Sequence, residues 1–301
     1  MKEATAPKRK SAKAENSDSK HNAISLLPNL SLSCFLAFPM DLTHFHTHGY
    51  QVLPDIIDRD VVQSLVTYLS SDADDALTLL MADLRCNDIV ALCQRIDEVA
   101  ARPDFEKVPK DQRLVMSGHF PIETRLSRTL WQVPKLSVVR SVLETVLNHQ
   151  QLYMHMPPTA RFVLPGNKHA AVPAHQDVSY NKHMSDFVTL WVPLTKIDDE
   201  CGGVAVFPGS GEPVERLDNF DQKFWLQGVP TQGLPKVHCT MNAGDALLLN
   251  KWIIHESMPN LSRRVRYSID FRFFSASEQS SKHLLDMQNW RVIEPAKQTA
   301  A

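Results

Sequence analysis

The sequence predicts a mainly β protein with helices on its flank, and three observations carry that reading. Up to about residue 150, apolar residues recur at helical spacing. After Gln150, short apolar runs alternate with Pro, Gly, Asn and Asp. With only 10 glycines, the chain has neither a GxGxxG nor a GxxxxGK[ST] loop. Many short strands in succession point to a sandwich, barrel or jelly roll, not to repeated βαβ units.

The chain of 301 residues is long enough for a sizeable core. Its 32 basic and 34 acidic residues nearly cancel, which argues against a nucleic-acid partner held by bulk charge. No uncharged apolar run reaches the roughly 18 residues of a membrane helix, so no membrane partner is expected. The 5 cysteines are odd in number and contain no CxxC, which argues against a disulfide scaffold or a thiolate zinc site. A cytoplasmic protein is expected, a monomer or homodimer acting on a small molecule. The 13 histidines make histidine chemistry the first thing to look for.

Residues 1–22 are rich in Lys, Ala, Ser and Glu and have no large apolar residue after Met1, so they read as disordered. Residues 23–39 are apolar and follow a basic stretch, as in a signal peptide, but Pro28 interrupts them and no clean cleavage site follows. Residues 1–39 are therefore expected to form a disordered or weakly ordered extension, and 40–301 a single domain that begins naturally at Met40. Tyr50–Leu53 is a strand candidate ended by Pro54. Asp58 or Asp60 caps a helix through Val61, Val62, Leu65, Val66 and Leu69. A second helical stretch spans 75–101 and places Cys86 and Cys93 on one face as core thiols. A third spans 134–148. Strand-like runs follow at 152–156, 160–164, 187–194, 203–207, 236–241, 246–254 and 264–274.

The chemistry concentrates on His175, Asp177 and His255. In His175-Gln176-Asp177, an extended backbone puts the first and third side chains on one face. Pro173 keeps the approach extended. The apolar run 246–254 reads as a buried strand that delivers His255 at its tip. Two imidazoles and one carboxylate on one face of a metal leave positions open, as in non-haem iron(II) oxygenases. A structural His–Asp pair is the plainer alternative for the HxD triplet alone. Eleven residues beyond His255, Arg266 opens an alternating strand: Tyr267, Ile269, Phe271 and Phe273 on one face, Arg266, Ser268, Asp270 and Arg272 on the other. The polar face either meets water or lines a ligand cavity, where Arg266 can clamp a carboxylate.

With these residues in place, the chain resembles the phytanoyl-CoA dioxygenase family of iron(II)- and 2-oxoglutarate-dependent oxygenases. The matching segments run from Phe45-His46-Thr47-His48-Gly49-Tyr50 through His175-Gln176-Asp177 and Leu190-Trp191-Val192-Pro193-Leu194. They continue with Cys201-Gly202-Gly203 to Pro208-Gly209-Ser210, and end on Gly244-Asp245, His255-Glu256-Ser257, Asn260, Ser262 and Arg266. The resemblance covers roughly residues 45–275. It implies a double-stranded β-helix (a jelly-roll, cupin-like core) and a dioxygenase that uses Fe(2+), 2-oxoglutarate and O2. It implies His175, Asp177 and His255 as metal ligands and catalytic centre, and Arg266 on the distal carboxylate of 2-oxoglutarate with Ser257 beside it. Thr189, Trp191 and Arg161 are expected in the same pocket. Related halogenases have a small residue where Asp177 stands, so the carboxylate favours hydroxylation; desaturation or ring formation on the same centre, or a non-catalytic binding module, are the alternatives. Gly211 replaces the His that often follows the Pro-Gly-Ser turn. The His44, His46, His48 tract lacks a carboxylate at ligand spacing and reads as surface. His169 and His183 flank the motif on loops that could meet substrate.

Overall fold

The computed structural model describes residues 41–295, apart from 182, 183, 185, 212–227 and 279. The expectations for the first 40 residues, and for His183, lie outside the described residues. Helix α1 (Thr43–His48) leads into strand β1 (Tyr50–Leu53). The helical layer follows: α2 (Arg59–Leu84), α3 (Ile89–Ala100), α4 (Lys110–Met116), α5 (Ile122–Leu126), α6 (Gln132–Lys135) and α7 (Ser137–Val146). The strands are β2 (Leu152–His155), β3 (Thr159–Val163), β4 (Val188–Pro193), β5 (Gly203–Val206), β6 (Val237–His238), β7 (Ala246–Asn250), β8 (His255–Met258), β9 (Arg266–Ser275), β10 (Leu284–Asp286) and β11 (Arg291–Ile293).

The long helix α2 forms because Val62, Leu65, Leu69, Ala73, Ala76, Leu77 and Leu80 make one buried stripe. Here the structure corrects the sequence reading. One helix runs through to Leu84, Arg85 closes it in the left-handed region (φ 59°), and Asp88 caps α3 by accepting from the Ala91 amide. The expected 75–101 helix is therefore two. Cys86 lies in the link and only Cys93 is buried on α3, so the two thiols do not share a helix face. The 134–148 stretch likewise breaks at Leu136, whose backbone is extended.

The larger sheet runs β1-β7-β4-β9-β2-β10-β11, with β3 also on β9; the smaller runs β6-β5-β8. Every pairing between these strands is antiparallel. Period-2 alternation gives the larger sheet two distinct faces. Leu190 and Val192, Ala246 and Leu248, and Ile269, Phe271 and Phe273 join the helices in the main core. The other face contributes Trp191, Leu247 and Leu249, which meet Ile197, Val204, Val206 and Met241 in an inner apolar cluster between the sheets. This is the expected jelly roll with helices outside.

One difference matters for the site. Strand β7 stops at Asn250, and His255 begins the next strand instead of ending this one. The Asn250 side chain accepts from the amides of Trp252 (2.9 Å) and Ile253 (2.8 Å), forming a tight turn. That turn carries the chain from the larger sheet to the smaller. The apolar run does not reveal it, because Ile253 and Ile254 stay buried on both sides of the bend.

Candidate metal centre and cosubstrate pocket

His175 sits on an extended segment that pairs with the start of β8. Its amide donates to the His255 carbonyl at 2.9 Å, and the His255 amide donates back at 3.0 Å. This reciprocal pair sets the two imidazoles side by side, ring centroids 4.2 Å apart. Gln176 stays extended and turns its side chain away, donating to the Trp252 carbonyl at 2.6 Å. Asp177 returns to the His175 face and opens a 3-10 turn, Asp177–Tyr180. One ligand atom each from His175, Asp177 and His255 lie within 4.8 Å of one another, and all three residues are buried.

The residues fit a metal in their hydrogen bonding as well. Nδ1 of His175 donates to the Pro173 carbonyl (2.8 Å), and Nδ1 of His255 to the Ile253 carbonyl (3.0 Å). With the proton on Nδ1, each ring carries its lone pair on Nε2, the atom a cation would take. Burial, then the neighbouring His255, pushes His175 down to about 3, so it is neutral at ordinary pH. Burial alone would raise Asp177, but Arg272, His255 and His175 together hold its carboxyl below the usual range. The Arg272 guanidinium donates to Asp177 Oδ1 at 2.6 Å, and the Thr189 hydroxyl donates to Oδ2. Both oxygens of the carboxylate are thereby oriented.

The polar face of β9 turns inward, toward the triad, where Arg272 reaches Asp177. Arg266 is 3% exposed. Its Nη1 donates to the carbonyls of Cys201 (3.1 Å) and Met258 (2.9 Å), while Nε is enclosed without a partner. Burial lowers it to about 10, and it remains a cation at neutral pH. Among the described residues no carboxylate pairs with it. A buried guanidinium without a counter-ion is the donor set that an anionic cosubstrate would complete. Ser257 stands two residues beyond His255 on β8 and shares its face.

The remaining candidates are placed apart from one another. Thr189 bonds Asp177, so it orients a candidate ligand and is not spent on the cosubstrate. Trp191 lies in the inner apolar cluster beside Leu247 and Val204, as core packing. Arg161 faces inward opposite Ser268, its Nη2 donating to the carbonyls of Ser117 and Ala170. The sequence reading missed Arg272 as the partner of Asp177. The signal was present, because Arg272 is three alternations from Arg266 on the same face. It also left the Pro208-Gly209-Ser210 turn without a role. The Ser210 hydroxyl accepts from the Ile254 amide at 2.9 Å and so fixes the residue before His255.

Comparison with known proteins gives the family and the fold. The family model for phytanoyl-CoA dioxygenase matches residues 45–268. The chain belongs to the phytanoyl-CoA dioxygenase family. As a member it is a non-haem iron(II)- and 2-oxoglutarate-dependent dioxygenase, with O2 as the second cosubstrate. A curated relative from Streptomyces exfoliatus, named 1-deoxypentalenic acid 11-beta-hydroxylase, is 27% identical over 77% of this chain and 80% of its own length. The protein of the same name from Streptomyces arenae is 32% identical over 35% of this chain and 41% of its own. Two solved structures share the fold. The non-heme monooxygenase ThoJ in a nickel complex has a TM-score of 0.51 at 14% identity, covering 85% of this chain and 89% of that one. AviO1 from Streptomyces viridochromogenes has a TM-score of 0.51 at 14% identity, covering 79% and 95%. No helix among the described residues of this dioxygenase is long and apolar enough to cross a membrane.

Proposed function

We propose that the enzyme hydroxylates an unactivated carbon of a small organic molecule, with His175, Asp177 and His255 holding the iron. The observation that carries this reading is the buried triad together with the buried Arg266 guanidinium, which pairs with no carboxylate among the described residues. When bound, iron(II) and 2-oxoglutarate supply oxygen activation: decarboxylation to succinate and CO2 gives two of the four electrons O2 requires, the substrate C–H bond gives two, and succinate and the hydroxylated product take one oxygen atom each.

The chain's own residues supply orientation and dryness. Two backbone carbonyls fix the imidazole tautomers. Arg272 and Thr189 hold the carboxylate of Asp177 in one plane. Arg266 takes the distal carboxylate of 2-oxoglutarate, with Ser257 as a second contact. The inner apolar cluster packs between the two sheets and supplies dry surroundings. The hydroxylases named among the relatives support C–H hydroxylation. We further place the catalytic domain at residues 40–301 and the enzyme in the cytoplasm, as a monomer or homodimer with no nucleic-acid or membrane partner. The unpaired state of its described cysteines suits that compartment.

The test needs no substrate. Iron(II) and then 2-oxoglutarate are added to the purified protein without oxygen, and the visible spectrum is recorded. A charge-transfer band that requires both, and that is lost in His175→Ala, is expected. No band, with tight binding of both also excluded by calorimetry, would overturn the reading in favour of a non-catalytic jelly-roll module.

A further inference from the structure

The inward faces of β3 and β9 carry more positive charge than the centre uses. Three guanidiniums face inward among the described residues: Arg161 on β3, and Arg266 and Arg272 on β9. Against them stand two carboxylates, Asp177 and Asp270. The 2+ charge of iron(II) and the 2− charge of 2-oxoglutarate cancel, so within this set of guanidiniums and carboxylates loading the centre leaves one cation in excess. The pairing shows which one. Arg272 lies between Asp177 at 2.6 Å and Asp270 at 3.6 Å. Arg266 has the cosubstrate, on the reading above. Arg161 has no carboxylate within ion-pair distance among the described residues.

Arg161 is also built to hold still. Its Nη2 donates to the Ser117 carbonyl at 2.8 Å and the Ala170 carbonyl at 2.6 Å, which fixes the plane of the fork. Its Nε is enclosed and has no partner. The surroundings add positive charge: Arg125 is tied through Nε to the Pro158 carbonyl at 2.9 Å, one residue before β3 begins. Burial, and then the like charge of Arg266, lowers Arg161 to about 10, so it stays cationic at neutral pH. Asp270 is a poor counter-ion, because burial raises its pKa and its Oδ1 is itself without a partner. A fixed, partly buried guanidinium of this kind suits the planar, two-oxygen geometry of a carboxylate.

We propose that the substrate is a carboxylic acid and that its carboxylate docks on Arg161. The proposal rests on the metal-centre reading and adds the substrate class to it. Anchoring the acid group on β3 would hold the carbon skeleton between that strand and the triad.

The experiment begins with the anaerobic iron(II)–2-oxoglutarate complex of the full chain. Its visible band is recorded first; absence of the band at that point counts against the metal-centre reading and not against Arg161 specifically. A panel of aliphatic, alicyclic and aromatic carboxylic acids is then titrated, each beside its methyl ester and primary alcohol, and binding is read from the perturbation of the band. Acids are expected to bind at least ten-fold more tightly than their neutral counterparts. In Arg161→Met that advantage disappears while affinity for iron(II) and 2-oxoglutarate is kept, and Arg161→Lys restores part of it. Equal behaviour of acid and ester in the unaltered protein, including the case in which neither binds, would overturn the proposal. So would an Arg161→Met protein that is folded by circular dichroism yet has lost 2-oxoglutarate affinity, because Arg161 would then belong to the cosubstrate.

Discussion

Arg266 shows how a single buried charge reports on a ligand. Arg266 is 3% exposed, and its guanidinium has two backbone acceptors and an Nε without a partner among the described residues. Such an arrangement is costly unless an anion completes it. Arg266→Met is expected to leave metal binding intact and to weaken 2-oxoglutarate by about 2–5 kcal/mol, measured by anaerobic calorimetry. Unchanged 2-oxoglutarate affinity would remove Arg266 from the pocket. The thiols make a second point at this scale. Burial pushes Cys93 up to about 11 and Cys239 up to about 12. Both stay protonated in the fold at pH 8, so iodoacetamide should label them only after unfolding, as peptide mass spectrometry would show. The sign for stability follows from linkage: above the unfolded thiol pKa, near 8.5, the unfolded chain loses protons the folded chain keeps. Their contribution is therefore complete at neutral pH, and stability should fall as pH rises from about 9 toward 12. Cys239→Ala should flatten that decline.

At the scale of elements, two turns decide where the functional groups end up. The Asn250 turn moves the chain between sheets and sets the approach to His255. Asn250→Ala removes an acceptor shared by two amides and should cost about 1 kcal/mol of stability while lowering metal affinity. Thermal melts and metal titration would check the two effects separately. Gly202 is the second. It adopts φ +75°, and a Cβ there would lie 2.2 Å from the Pro259 carbonyl oxygen and 2.6 Å from that of Met258. The Met258 carbonyl is an acceptor for Arg266, so Gly202→Ala should disturb both the β5–β8 pairing and the cosubstrate pocket. A loss of about 1–3 kcal/mol in stability is expected, together with weaker 2-oxoglutarate binding. A variant with unchanged stability and affinity would show that this turn has slack.

At the scale of the whole molecule, the candidate centre ties the two sheets together. His255 belongs to the smaller sheet, while Asp177 is held by Thr189 and Arg272 of the larger. A cation bound there links His175 and His255, 80 residues apart in the chain, and it should stabilise the native state by mass action. At a hundred times its dissociation constant, a metal should add about 2.7 kcal/mol. For a chain of this size that is a rise in melting temperature of roughly 5–10 °C. Nickel(II) or iron(II) titrated under argon should produce it, a chelator should reverse it, and His175→Ala should abolish it. No shift in the unaltered protein would place the metal elsewhere.

The sequence by itself determined most of the local structure and the identity of the candidate ligands. Short apolar runs marked β4 and β7, alternation at period 2 marked β9, and the i, i+2 spacing of His175 and Asp177 already put them on one face. It could not separate α2 from α3 correctly, because Arg85 takes a left-handed backbone without the glycine that usually signals one, and only Asn87-Asp88 hints at a new start. It missed the short strands β8, β10 and β11, whose residues are too few to show a period. Tertiary structure alone decided that the polar face of β9 looks inward. Alternation is the same whether charged residues meet water or a cavity; what selects between them is the second sheet, which covers that face with β5 and β8. The same closure brings Arg272 to Asp177, 95 residues away in the chain, and leaves Arg161 without a carboxylate at ion-pair distance among the described residues, a fact about three-dimensional charge balance that no local pattern encodes.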